Sequence, residues 1–240
     1  MFDKLKLTDL NDIRLILWDI DGTVLNFYEA QKNAIRACFG LLNLGECTDE
    51  MLADYDGINH KYWQALERGE ITKPQVLTGR FCEFFEKYGI DTGVVTAFND
   101  EYQVRLGDTI CYSPGVEKLI FEFKGRGILQ YAVTNGTKIA QEKKLSKSGL
   151  DKVFDEVFIS EDLGFEKPSK DFFEPVWKTA KSRIPDMELK DIMIIGDSLT
   201  SDMQLGNNVG IKTCFFCPEG LKETGLRIDY TIESFTDLFE

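Results

Sequence analysis

Short runs of consecutive apolar residues, separated by amphipathic stretches, constrain this chain more than any other feature of its sequence. The runs fall at 14–18, 128–133, 153–159, 192–195 and 212–216, with a weaker one at 230–232. Consecutive apolar positions, rather than strict alternation, are expected of parallel strands buried on both faces. Helical patterns at 138–148, 170–183 and 201–208 lie between the later runs. Strand and helix in alternation predict an α/β fold, a parallel sheet core with helices on both faces. With 240 residues, 43% of them hydrophobic, the chain can fill such a core.

The stretch from Asn26 to Cys111 breaks the rhythm. It holds no strand-like run but has amphipathic patterns at 29–44, 49–68 and 74–88, and another near 99–107. Ser113, Pro114 and Gly115 then read as a turn. The expected organisation is a small α-helical domain, residues 26–110, inserted after the first strand of a core formed by residues 1–25 and 111–240.

The strand ends carry the chemistry. The first run ends in Trp18-Asp19-Ile20-Asp21-Gly22-Thr23, and ligands of open α/β sheets gather beyond the carboxyl ends of strands. Asp19 and Asp21, two apart, point the same way in extended backbone. One can act as nucleophile or metal ligand and the other as proton donor. An Asp-x-Asp alone also fits a surface turn. The second run ends in Thr134-Asn135-Gly136, where a hydroxyl and backbone amides can hold an anion, although the same residues suit an ordinary turn. Lys167 and Pro168 follow the third run, and Gly196-Asp197-Ser198 with Asp202 ends the fourth. Taken singly, Lys167 reads as a solvated lysine and Asp197 or Ser198 as a helix cap. Taken together, an acid pair, a hydroxyl, a lysine and a second acid pair follow successive strands and converge on one sheet edge.

This order resembles the four motifs of the haloacid dehalogenase superfamily, and the helical insertion matches a cap class of that superfamily. The resemblance implies a Rossmann-like core and phosphate-ester hydrolysis through an aspartyl phosphate. Asp19 would be the nucleophile and Asp21 the acid and base. Thr134 and the amides of Asn135 and Gly136 would hold phosphoryl oxygens, with Lys167 as counter-charge. Mg²⁺ would sit on Asp19, Asp197 and the Asp21 carbonyl, with Asp202 and Ser198 behind them. The second aspartate, Asp21, points to phosphate rather than halide chemistry.

The charge balance fits a site that must assemble its own positive charge. Lys and Arg number 28 against 41 Asp and Glu, a formal net charge of -13. Such a surface disfavours nucleic-acid polymers and anionic membranes as partners. A small phosphate ester is the expected partner. A lone histidine, His60, argues against zinc. Six cysteines without a secreted spacing pattern, and no apolar run of membrane-spanning length, predict a reducing cytoplasm. Cys214 and Cys217, around two phenylalanines in a strand, read as structural thiols.

Within the insertion, Asn59-His60-Lys61-Tyr62-Trp63 and Gly79-Arg80-Phe81, with residues 159–164 of the core, resemble the cytosolic pyrimidine 5′-nucleotidases. In the superfamily the cap closes over the site and selects the leaving group. Asn59, Trp63 and Arg80 are therefore expected substrate contacts, with Trp63 stacking on a base. The alternatives are a sugar-phosphate or phosphoglycolate phosphatase, a phosphoglucomutase-type enzyme, or a catalytically silent binding protein on this scaffold.

Overall fold

The computed structural model describes residues 3–220 and 224–239. Six parallel strands form one sheet: β1 (Leu15–Trp18), β2 (Leu129–Thr134), β3 (Glu156–Ile159), β4 (Ile192–Gly196), β5 (Lys212–Phe216) and β6 (Tyr230–Ile232), in the order β3-β2-β1-β4-β5-β6. Helices α1 (Phe27–Leu41), α2 (Asp49–Glu67), α3 (Lys73–Tyr88) and α4 (Val95–Leu106) follow β1. The others are α5 (Val116–Gly125), α6 (Lys138–Ser148), α7 (Ser160–Leu163), α8 (Lys170–Arg183) and α9 (Gln204–Val209).

From β1 the chain builds outward to β2 and β3, then returns to the other side of β1 to lay down β4, β5 and β6. Right-handed crossovers running in opposite directions place helices on opposite faces of the sheet, which therefore carries helices on both. The reversal leaves a crevice beyond the carboxyl ends of β1 and β4. All four residues of β1 have no solvent exposure, as its unbroken apolar sequence requires. On one face Leu15 and Leu17 pack in a cluster with Tyr131, Val133, Phe172, Val176 and Ile194. On the other, Trp18 stacks on Phe123 at 5.8 Å and donates to Gln130 Oε1 at 3.0 Å, which satisfies the buried indole N–H.

The chain divides into two compact units. One comprises Met1–Asn26, Tyr112–Lys138 and Gly149–Glu240, and holds the sheet. The other, Phe27–Cys111 with Ile139–Ser148, is helical. Its core is aromatic: Phe39, Tyr55, Phe81, Phe84, Phe85, Phe98 and Tyr102 are all buried, and Tyr55 stacks on Phe81 at 5.1 Å. Burying each large side chain contributes roughly 1.5–3 kcal/mol. Capping fixes the helix ends. Thr48 Oγ1 accepts from Met51 N at the start of α2, and Gly89, at φ +65°, closes α3 in the left-handed region.

Several boundaries differ from the sequence reading. β3 begins at Glu156 rather than 153, because Val153 N and Phe154 N both donate back to Leu150 O in a turn, and the Asp155 carboxylate takes the Gln130 N–H. The helix expected at 201–208 is preceded by a wide turn at Leu199–Met203, in which Met203 N donates to Ser198 O five residues back. Such turns recur at functional sites. Helix α5 was not read from the sequence, although Val116, Leu119, Ile120 and Phe123 carry a helical spacing and are buried. Cys214 lies in β5 and Cys217 just beyond it, both buried and free.

Candidate active site

β1 delivers Asp19 to the crevice and β4 delivers Asp197. After Asp19 the chain turns tightly: Leu25 N donates to Ile20 O and Gly22 N to Leu25 O, each at 2.8 Å. Gly22 is required twice over. Its φ is +96°, and a Cβ there would come within 2.2 Å of Asp197 Oδ2. Gly196 answers the same demand across the crevice, since its Cβ would meet Asp202 Oδ2 at 2.2 Å.

Lys167 is the hub. Only 1% exposed, its ammonium donates to Asp19 Oδ1 at 2.8 Å, to Asp202 Oδ1 at 2.6 Å and to the Val133 carbonyl at 2.8 Å. All three N–H donors are thereby engaged. Burial opposes the charge, but Asp19 and Asp202 outweigh it and raise the ammonium's pKa. Asp202 is held at its other oxygen by Ser198 N at 3.2 Å. Ser198 Oγ accepts from Ser201 N at 3.1 Å, shaping the wide turn that presents Asp202.

Asp19 differs from Asp202 in one respect. Its Oδ2 is buried and has no hydrogen-bond partner. Burial pushes the Asp19 carboxyl up to about 7, with Asp202 and Asp21 adding to the rise and Lys167 opposing it. Asp197 is exposed by surface area, yet protein atoms crowd its carboxyl. That dehydration, then Asp19 and Asp202, pushes its pKa upward, while Thr23 Oγ1, donating at 3.2 Å, acts the other way.

The residues fit a hard divalent cation. Asp19, Asp197 and Asp202 each offer an oxygen, all within 4.8 Å of one another. Three carboxylates cluster around one ammonium, and Asp19 Oδ2 is buried without a hydrogen-bond partner. Both oxygens of Asp202 already accept hydrogen bonds, so Asp19 and Asp197 are the freer ligands. An all-oxygen donor set suits magnesium better than a softer metal.

Thr134 and Asn135 are buried at the end of β2. Thr134 Oγ1 accepts from Gly136 N at 3.1 Å, and the Asn135 side chain bonds the backbone of Lys167. Half-buried Asp21 sits in the turn after Asp19, its backbone bridged to Leu25. Thr23, Ser201 and the Val133 carbonyl were not singled out from the sequence. Only Thr23, inside the first motif, carried a signal that would have found it.

Asn59, Trp63 and Arg80 form a separate cluster in the helical unit. Asn59 Oδ1 accepts from Trp63 Nε1 at 3.1 Å and from Arg80 Nη1 at 2.7 Å. Arg80 is 1% exposed and lies over the Trp63, Phe81 and Tyr102 rings. Phe81 is wholly buried in the aromatic core, so it offers no face to a ligand. Trp63 keeps part of its surface open. His60 is exposed and bonds Gln64.

Residues 16–216 match the family described as Haloacid dehalogenase-like hydrolase. The chain belongs to this family. Among its relatives, HAD-hydrolase YfnB of Bacillus subtilis is 35% identical over 86% of this chain and 85% of that protein. The crystal structure of YfnB bound to magnesium, described as revealing interdomain movement, superposes with a TM-score of 0.85, covering 95% of this chain and 97% of that one. The pyrimidine 5′-nucleotidase PynA of Streptococcus pneumoniae is 31% identical over 95% of this chain and 94% of its own. A glyceraldehyde 3-phosphate phosphatase of Pyrococcus furiosus is 25% identical over 95% and 92%. This haloacid dehalogenase-like hydrolase has, among its described residues, no helix long and apolar enough to cross a membrane.

Proposed function

We propose that this hydrolase is a magnesium-dependent phosphatase that cleaves phosphate monoesters through an aspartyl phosphate on Asp19. The observation that carries this reading is the state of Asp19: one oxygen is fixed by Lys167, while the other is buried and unpartnered at the β1–β4 crevice. A carboxylate oxygen of Asp19 forms the bond to phosphorus as the ester oxygen leaves with a proton from Asp21. Asp21 then accepts a proton from the water that attacks the phosphoenzyme, and free phosphate departs. Lys167 offsets charge on Asp19 and on the phosphate, and Thr134 with the amides of Asn135 and Gly136 holds phosphoryl oxygens. Magnesium, held by Asp19, Asp197 and the Asp21 carbonyl, would supply the divalent charge that lets an anionic nucleophile meet an anionic substrate.

Chelation is expected to abolish phosphate release, and added magnesium to restore it. The same titration read by thermal unfolding should raise Tm as magnesium saturates the native site. Asp197→Ala should lose both responses. A normal magnesium-dependent Tm shift in that variant removes Asp197 from the metal site.

The proposed substrates are pyrimidine nucleoside 5′-monophosphates, in the cytoplasm. Support comes from the similarity to PynA along nearly the whole chain and from the partly open ring of Trp63, which Asn59 and Arg80 hold in place. The Pyrococcus furiosus relative favours a second reading, a small sugar-phosphate substrate. A profile of kcat/KM across both classes decides between them. Trp63→Ala should lower kcat/KM for the nucleotide about tenfold, the value of one stacking contact, and should affect p-nitrophenyl phosphate less. Equal losses on the two esters assign Trp63 to packing, and a wild-type profile led by sugar phosphates refutes the nucleotide reading.

A further inference from the structure

We infer that the side chain of Asn135 is a positioning residue for Lys167, setting the lysine's backbone and thereby the place of its ammonium between Asp19 and Asp202. The inference rests on the reading of Lys167 as counter-charge in phosphate transfer. It gives the Asn135 side chain a task separate from that of its backbone amide.

Lys167 N donates to Asn135 Oδ1 at 2.8 Å, and Asn135 Nδ2 donates to the Lys167 carbonyl at 2.9 Å. One side-chain amide thus engages both backbone groups of one residue, as a hydrogen-bonded pair of strand residues does. Asparagine is short and carries donor and acceptor at fixed spacing; a carboxylate or hydroxyl cannot match both groups in this way. The clamp falls where it is needed. β3 ends at Ile159 and α8 begins at Lys170, so neither a ladder nor a helix satisfies the buried backbone of Lys167.

A longer contact extends the clamp. Asn135 Nδ2 lies 3.4 Å from Ser201 Oγ, in the wide turn that presents Asp202. At the far end of the lysine, the ammonium donates to the carbonyl of Val133, two residues before Asn135. The end of β2 therefore grips Lys167 at its backbone and at its charge. Misplacing a charged group by about 1 Å can cost on the order of 100-fold in rate, so a backbone clamp of this kind acts on catalysis without touching substrate.

Two measurements test this. Hydrogen exchange reads the Lys167 amide whether or not the protein is a phosphatase. Asn135→Ala should speed exchange in the peptide containing Lys167 by roughly tenfold or more, while Asn135→Asp, which keeps the acceptor oxygen, should preserve most of the protection. Unchanged protection in Asn135→Ala overturns the inference. The second is a double-mutant cycle on a fluorogenic aryl phosphate, run at high enzyme concentration. Asn135→Ala should lower kcat/KM about 30-fold in the wild-type background and less than about twofold beside Lys167→Met. An equal factor in both backgrounds assigns Asn135 to substrate contact or to general stability, and overturns the inference. If the wild type releases no phosphate from any ester while the exchange result holds, the proposed function fails and the clamp stands.

Discussion

Asp19→Asn is expected to lower phosphate release by about 10⁴-fold or more, because a neutral amide cannot form the acyl phosphate through which the proposed reaction is divided. The variant should fold at least as well as the parent. In the native protein burial raises the Asp19 pKa from 3.8 to about 7. The native state therefore binds this proton more tightly than the unfolded chain does. Stability from this group falls as pH rises across that window, and above it the ionised carboxylate is a full liability. Asparagine removes that liability, and Lys167 keeps Asp202 and the Val133 carbonyl as partners. The expected result is an inactive protein with an equal or higher Tm near pH 7.5. Near-normal turnover in a folded Asp19→Asn protein would rule out the covalent route.

Lys167→Met should do the opposite to stability. Lys167 and Asp202 are each 1% exposed, and their pairing with Asp19 is shielded from solvent. Removing the cation leaves two buried carboxylates without counter-charge, at a cost of about 3–5 kcal/mol in unfolding free energy. The deficit has a definite pH dependence. Asp19 already titrates near 7 with the lysine present, and its loss raises that value further. The part of the penalty that comes from Asp19 is therefore full in alkali and is lost as pH falls through about 7, below which the Asp19 carboxyl is protonated in both proteins. Urea unfolding at pH 8 and pH 5 measures the difference. A deficit that does not shrink in acid means that packing, rather than charge, supports Lys167. Activity should fall along with stability, whereas Asp19→Asn separates the two.

These two variants involve residues that the sequence made legible, for a physical reason. A parallel strand buried on both faces must be apolar throughout, so the first acid after such a run marks a strand end. Asp19, Thr134 and Asp197 each stand at one. Lys167 was legible only through its order among the motifs, since it lies in a loop eight residues past the end of β3. The bonds made by the side chains of Asn135 and Ser201 were not legible. They run between loops distant in sequence, and local patterning carries no trace of those. In the helical unit the difficulty was different. Phe81 and Trp63 both lie within helical patterns of the insertion, yet one is core and the other partly open. Aromatic residues are so dense there that helical periodicity alone does not say which ring faces outward.

The position of β1 also sets a timetable for synthesis. It is the first of the six strands in chain order, yet it lies in the middle of the sheet, and its register partners begin at Leu129 on one side and Ile192 on the other. A ribosome-bound chain carries Leu15-Ile16-Leu17-Trp18 uncovered until both neighbours have emerged. The helices from Phe27 to Leu106 rely on contacts closer in sequence and are able to condense earlier. The strand that leads into Asp19 is therefore the segment of the nascent chain exposed longest to non-native pairing. A transcript cut short before β4 yields a chain whose helices fold while its most apolar strand stays open to aggregation or to a chaperone.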